Sequence, residues 1–165
     1  MEQKIYNEYV EILKEELLPA MGCTEPIAVA YAAAVAVQAL GEKPESVEVN
    51  VSANIIKNVK SVVVPCTGGL RGIGAAVCAG IVAGCPEKEL EIKKMLDTMP
   101  MTIRESDKEY IFDIQIKACA GGHSGYVEIA GFHTNVICVK KDDEIIREKA
   151  YEEQDEIHYL IDMAR

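Results

Sequence analysis

Large aromatic residues and basic residues are both scarce in this sequence. Among its 165 residues there are two phenylalanines and no tryptophan, so a core built from this chain must be mostly aliphatic, with alanine and glycine allowing close backbone approach. Lysine and arginine total 17 against 27 acidic residues, a formal net charge of -10. Because a polyanion needs a basic side chain for each phosphate that is neutralised, nucleic acid is not an expected partner.

Long apolar runs are absent as well. The longest, Ile27 to Leu40, is about 14 residues and contains Gln38, whereas a membrane-spanning helix needs about 20. The N-terminus enters an amphipathic helical pattern directly and has no apolar core of a signal peptide. These features predict a cytoplasmic protein without a membrane partner.

The six cysteines form no Cys-x-x-Cys pair. In a reducing compartment they are expected to be free thiols or ligands rather than disulfides. Cys119, His123, His133 and Cys138 follow the order of a zinc site, but His133 and Cys138 are five residues apart in a predicted strand. They should therefore face opposite sides of the sheet, and no zinc site is expected.

Helical patterns dominate the first half of the chain. Apolar residues recur at helical spacing from Lys4 to Leu18, and a second helix is predicted from a Thr24 N-cap to Leu40, ending at Gly41. A helix of small residues is expected from Leu70 to Ala83. Another is expected from Pro86 to Asp97.

Strand patterns dominate the second half of the chain, and two further candidate strands lie in the first half. Alternation or short apolar runs predict strands at Val47–Val51, Val62–Val64, Tyr110–Lys117, Tyr126–Ile129, Thr134–Val139 and Ile145–Ile146. The expected fold is α+β, with N-terminal helices and a small-residue helix layer packed on a mainly antiparallel sheet. Residues 1–150 are predicted to form one domain, and residues 151–165 a polar helical segment leading to a further C-terminal domain.

Cys23 is a candidate reactive thiol. It directly precedes the predicted N-cap of a buried helix, where free backbone N–H groups and the helix dipole favour a thiolate. This position suits a nucleophile, a base or a soft-metal ligand. The alternative interpretation is a small, inert residue at a tight turn.

Polar residues elsewhere suggest recognition of a small molecule. Asn54, Lys57 and Asn58 interrupt a strand pattern, and asparagine amides can bind the carboxylate and ammonium groups of an amino acid. Gly122-His123-Ser124 and His133-Thr134-Asn135 each join a histidine that can move protons to a hydroxyl residue. Ordinary turns stabilised by these side chains are the alternative.

The glycine-rich run Gly68 to Gly74 precedes a helix but matches neither common phosphate-binding pattern. We therefore interpret its glycines as allowing close helix packing.

Four separated segments carry a family resemblance. Met21-Gly22-Cys23-Thr24-Glu25-Pro26, Asn54-Ile55-Ile56-Lys57-Asn58, Gly121-Gly122-His123-Ser124 and His133-Thr134-Asn135 resemble the N-terminal portion of L-cysteine desulfidases. These enzymes are related to the iron–sulfur L-serine dehydratase alpha chain. The similarity covers nearly all of this chain and less than half of a full-length family member.

The resemblance implies a lyase that performs β-elimination from a small amino acid, releasing pyruvate and ammonia with sulfide or water. It implies a [4Fe-4S] cluster in a C-terminal half, with the chain inactive alone and Cys23 near the cluster. Cys23, His123 and His133 would be catalytic. Thr24, Glu25, Asn54, Lys57, Asn58, Ser124, Thr134 and Asn135 would bind substrate.

Two alternatives stay open. The chain could instead be a non-catalytic small-molecule binding or assembly module of the same fold. The sequence also does not choose between cysteine, serine and another substrate, because one hydroxyl-for-thiol difference is decided by individual pocket atoms. Self-association through a surface left by the missing half is a further expectation.

Overall fold

The structure is a computed structural model that describes residues 3–16, 23–82 and 89–151. In this part of the chain five helices and six strands are present. The helices are α1 (Gln3–Glu16), α2 (Thr24–Leu40), α3 (Ala53–Val59), α4 (Gly72–Val82) and α5 (Glu89–Thr98). The strands are β1 (Ser46–Val51), β2 (Met101–Glu105), β3 (Asp113–Ala120), β4 (His123–Ala130), β5 (Val136–Lys141) and β6 (Glu144–Glu148).

The strands form one sheet in the order β2-β1-β3-β4-β5-β6. The β1–β2 pair is parallel, and the other pairs are antiparallel. Helix α2 packs against β3, β4 and β5, and α4 packs against α2. The predicted α+β class, with helices on a mainly antiparallel sheet, is confirmed.

Alternation places the apolar residues of the strands on the helix side of the sheet. Val47, Val49 and Val51 of β1 are buried, as are Ile114 and Ile116 of β3. They share one hydrophobic core with the alanine-rich face of α2, where Ala32, Ala33 and Ala36 are fully buried. The aliphatic core expected from the scarcity of aromatic residues is confirmed.

Two glycines allow the helix layer to lie close to its neighbours. A Cβ atom added to Gly80 of α4 would lie 2.0 Å from the carbonyl oxygen of Ala30, and one added to Gly125 of β4 would lie 2.1 Å from that of Ala36. In the predicted glycine-rich run, Gly74 packs against Leu96 and Met101. Close packing is therefore confirmed for Gly74.

Several boundaries differ from the predicted ones. Helix α2 is capped by Cys23 rather than Thr24, and it ends at Gly41 in the left-handed conformation, as predicted. Val62–Val64 is not a strand, because only Val63 forms an isolated bridge, to Arg71. Strand β3 begins at Asp113 rather than at Tyr110.

Two elements were missed. The break in alternation after β1 is helix α3, whose seven residues bury only Ile55 and Val59 and so lack a longer helical pattern. Strand β2 is short and mostly exposed, and its residues carry little of the alternation that marks a half-buried strand. The predicted segment 151–165 lies, from residue 152 onward, outside the described residues. Within the described chain, we find no helix with the length and apolar content to cross a membrane.

Candidate functional site

The start of α2, helix α3 and the loop after β4 meet around the carboxylate of Glu25. Its side chain is buried, with 5% exposure, although it lies in the first turn of α2. Cys23 lies at the cap of this helix and Asn58 on α3. His133, in the loop after β4, is near enough to act electrostatically on the carboxylate.

Both oxygens of Glu25 accept hydrogen bonds. The thiol of Cys23 donates to Oε2 over 2.8 Å, and the amide of Asn58 donates to Oε1 over 3.2 Å. The hydroxyl of Thr24 is a weaker donor to Oε2, at 3.5 Å. Since a buried carboxylate is costly without donors, these contacts explain how Glu25 is accommodated.

The pKa of the Glu25 carboxyl is lowered. Burial alone would raise it, but the hydrogen bond from Cys23 and the backbone N–H of Glu25 outweigh burial, assisted by His133 and Asn58. The backbone contribution reflects the free N–H groups at the start of α2. Glu25 is therefore ionised at neutral pH.

The pKa of the Cys23 thiol is raised, first by burial and then by its hydrogen bond to the Glu25 carboxylate. This reverses the prediction that the start of the helix favours a thiolate. The negative charge of Glu25 and the partial burial of the thiol outweigh the backbone N–H groups. Cys23 rests as a neutral thiol that donates to an anion.

We expect Glu25→Gln to make Cys23 more reactive, because the variant removes the charge that raises the pKa of the thiol. For each unit by which this pKa falls, the thiolate fraction at neutral pH rises tenfold. Lower nucleophilicity offsets part of this gain, so alkylation should accelerate about threefold for each unit by which the pKa falls. Peptide mapping after iodoacetamide treatment measures this rate, with exposed Cys66 as internal reference.

Exposed Glu42 provides the matched control for this variant. Glu42→Gln removes the same charge without touching the site, and it should leave the Cys23 alkylation rate unchanged. An unchanged or slower rate in Glu25→Gln would contradict the contribution of the Glu25 charge to the raised pKa of Cys23.

His133 is positioned by an aromatic neighbour. Its ring meets that of Phe112 edge to face, with ring centroids 4.8 Å apart, and Phe112 is fully buried just before β3. The loop that carries His133 is shaped by buried Asn135, whose side chain donates to the carbonyl of Ala130 over 2.8 Å and accepts from Lys149 over 2.9 Å. Asn135 thus stabilises the loop.

The remaining predicted residues near this end of the sheet lie at its margin. The Asn54 amide donates to the carbonyl of Ile111 over 3.2 Å, and Asn54, Lys57 and Thr134 are exposed. Asn54 and Lys57 lie on α3 beside Asn58, and it is Asn58 of this helix that donates to Glu25.

His123 and Ser124 lie at the opposite end of β4. Seven residues separate His123 from Ala130, so roughly 24 Å of strand divides the two predicted histidine motifs. His123 Nδ1 lies 3.0 Å from Asp142 Oδ2, and the backbone N–H of Ser124 donates to Asp142 Oδ1 over 2.7 Å. The structure does not bring His123 and Ser124 to Cys23.

Sequence reasoning missed two contributors, Phe112 and Asp142, and did not anticipate the role of a third residue, Glu25. Glu25 was expected to bind substrate, and its place at the centre of the hydrogen bonds was not anticipated. Nothing in the sequence around Phe112 and Asp142 indicated that they position His133 and His123. The signal available for Glu25 was its place in the first turn of an otherwise apolar helix, where a carboxylate is favoured.

The described residues do not fit a metal cluster. In this part of the chain no three His, Cys, Asp or Glu side chains are grouped so as to hold a metal ion. The implied [4Fe-4S] cluster would need other ligands, and we derive no chemical step through it.

Fold and site together define an α+β domain with a thiol–carboxylate pair at the start of a buried helix. Proteins named UPF0597 are similar to this domain. The relative from Desulfitobacterium hafniense is 46% identical over 157 residues, covering 88% of this chain and 36% of the relative. Those from Treponema denticola and Lachnoclostridium phytofermentans are 37% and 38% identical over 92% of the chain, and over 38% and 39% of their own lengths.

The chain thus spans little more than a third of the length of these relatives. No family model and no solved structure matches it. The matches correct the resemblance to L-cysteine desulfidases and the L-serine dehydratase alpha chain, because the similar proteins bear the UPF0597 name, which states no reaction. A function must therefore be argued from the site.

Proposed function

We propose that the Cys23–Glu25 pair is the proton-transfer centre of an enzyme site for a small polar substrate. One observation carries the proposal: the Cys23 thiol donates to the buried Glu25 carboxylate over 2.8 Å. Cys23 is partly exposed and can meet a substrate, whereas Glu25 is buried behind it. The pair therefore has an outer group that can exchange a proton with a substrate and an inner group that can accept the proton of the thiol.

The resting state favours the thiol strongly. The ordinary pKa values of the two groups are 9.0 and 4.5, and the site moves them further apart. Passing the thiol proton to Glu25 therefore costs about 6 kcal/mol or more. A turnover of about 10 per second corresponds to a barrier of about 16 kcal/mol, so this cost is compatible with catalysis.

The roles of Cys23 and Glu25 in proton transfer follow from the difference between their pKa values. As a thiol, Cys23 can give its proton to a carbanion or leaving group; as a transient thiolate, with its proton on Glu25, it can take one from carbon. Asn58 and His133 stabilise the carboxylate and hold it in place. The specific reaction that we propose is β-elimination from a small amino acid, which begins with removal of the α-proton.

Exchange of the α-proton tests the proposal. Removal and return of the α-proton is a partial reaction that needs the proton-transfer pair and leaves the β-substituent in place. The chain should therefore catalyse exchange of the α-proton of L-serine or L-cysteine for deuterium in heavy water, observed by proton NMR, although complete elimination is not expected from the chain alone. Cys23→Ala should reduce the exchange rate at least a hundredfold, the lower end of the effect of a positioned proton donor or acceptor, about 10²–10⁴-fold.

Cys119→Ala is the matched control, since Cys119 is partly exposed like Cys23 but lies near the far end of the sheet. It should exchange at the wild-type rate. Absence of exchange with both amino acids, or exchange that persists in Cys23→Ala, would refute the proposed role.

A further inference from the structure

An apolar groove lies beside α2, over β5 and β6. Helix α2 packs on β3 and β4 and reaches β5, while no described helix packs extensively on β6. The groove has a volume of about 410 Å³ and is lined in part by Tyr31 and Val35 of α2 and by Val136 and Val139 of β5. Because Val136 and Val139 belong to the hydrophobic core, the groove opens directly onto that core.

The α2 side of the groove presents apolar side chains to solvent. Tyr31 is 42% exposed, and Ile27, one turn earlier on the same helix, is 39% exposed. Among the described residues that line the groove, only Arg147 of β6 is charged. A continuous apolar surface of this kind is typical of a binding face. Its chemistry suits an apolar partner with negative charge at its rim.

Helix α1 carries exposed apolar side chains of the kind that such a groove accepts. Ile5, Tyr6 and Tyr9 are exposed, the two tyrosines by more than half. Helix α1 packs extensively on no other described element. A helix of 14 residues is marginal by itself in water, so α1 needs a surface on which to pack.

Helix α1 matches the groove in spacing and in charge. Ile5 and Tyr9 are one helical turn apart, about 6 Å along the axis, and so share one face of α1. Tyr31 and Val35 have the same spacing on α2, so the two pairs can interdigitate when the helices lie side by side. The α1 sequence contains four glutamates and two lysines, and its negative charge complements Arg147.

We infer that the α1 helix of a second copy of this chain occupies the groove, and that the exchange is reciprocal. Within the single chain, α1 does not pack extensively on α2, β5 or β6. Exchange of an identical element between two copies covers both exposed faces and is a low-cost route to a two-fold dimer. The dimer does not depend on the proton-transfer role proposed for Cys23.

The oligomeric state in solution tests the inference. Size-exclusion chromatography with light scattering should give twice the 18.0 kDa mass of one chain. Tyr9→Glu on α1 and Tyr31→Glu in the groove should each raise the Kd of the dimer about tenfold or more, because each places a charge in the apolar contact. Val63→Glu is the matched control, since Val63 is likewise exposed but lies outside α1 and the groove. It should dimerise as wild type does.

An equal mixture of the Tyr9→Glu and Tyr31→Glu chains separates this pairing from other interfaces. The unaltered α1 of the Tyr31→Glu chain can enter the unaltered groove of the Tyr9→Glu chain. The mixture should therefore form mixed dimers under conditions in which each variant alone is a monomer.

Circular dichroism should show that all three variants are folded, because the substituted side chains are exposed. A wild-type chain that stays monomeric, including one whose own α1 covers the groove, would overturn the inference. A dimer that persists in both Tyr9→Glu and Tyr31→Glu would show a different interface, and a mixture that does not associate would refute the exchange.

Discussion

Gly80→Ala should destabilise the domain by about 3 kcal/mol or more, the upper end of the usual cost of overpacking. The new Cβ atom would lie 2.0 Å from the carbonyl oxygen of Ala30, 2.8 Å from its carbonyl carbon and 2.9 Å from its Cα. These are backbone atoms of α2, which cannot move without shifting the helix. Urea unfolding followed by circular dichroism would measure the loss in free energy of unfolding.

Gly74→Ala is the matched control in the same helix. Its added Cβ atom would lie 3.0 Å from Cδ1 of Leu96, the end of a flexible side chain. Alanine also favours the helical state over glycine by about 1 kcal/mol. Gly74→Ala should therefore change stability little, and equal losses in the two variants would contradict the importance of the α2–α4 approach.

Phe112→Ala should remove about 3–5 kcal/mol of stability, the usual cost of truncating a buried phenylalanine. Phe112 is fully buried and also supports His133. Thermal and urea unfolding would measure the loss. Ile146→Ala, at a side chain that is 58% exposed, should change stability by no more than about 0.5 kcal/mol.

The Phe112→Ala variant also tests whether packing in the core affects the site around Glu25. Without the Phe112 ring, His133 loses an aromatic contact that helps to fix its orientation, so its favourable effect on the Glu25 carboxylate should weaken. The pH dependence of Cys23 alkylation should then change in Phe112→Ala and stay unchanged in Ile146→Ala. If Phe112→Ala loses the expected stability but leaves the pH dependence of Cys23 alkylation unchanged, Phe112 contributes to packing alone.

Much of the fold could be predicted from periodicity. The long apolar pattern ending at Gly41 predicted α2, and alternation predicted β1 and most of the antiparallel strands. Helix α3 and β2 were missed because seven residues with two buried side chains, and five mostly exposed residues, contain too little periodic information. Such short elements depend on the neighbours that they contact.

The sequence indicated which residues lie near one another better than it indicated the direction of their pKa shifts. Cys23, Asn58 and His133 lie close to one another, around the carboxylate of Glu25. The sign of the Cys23 pKa shift depends on burial and on a carboxylate two residues away, which a local rule for helix starts does not weigh. His123 was predicted to act with these residues because its motif resembles that of His133. The motifs do not show that strand β4 separates the two histidines.

The position of β1 between two strands that follow it in the chain has a consequence during synthesis. Its partners, β2 and β3, follow it in the chain by some fifty residues or more. At a translation rate of about 5–20 residues per second, β1 leaves the ribosome several seconds before β3 is complete. In that interval β1 has no strand to pair with, so its backbone and the apolar side chains of Val47, Val49 and Val51 are open to non-native contacts.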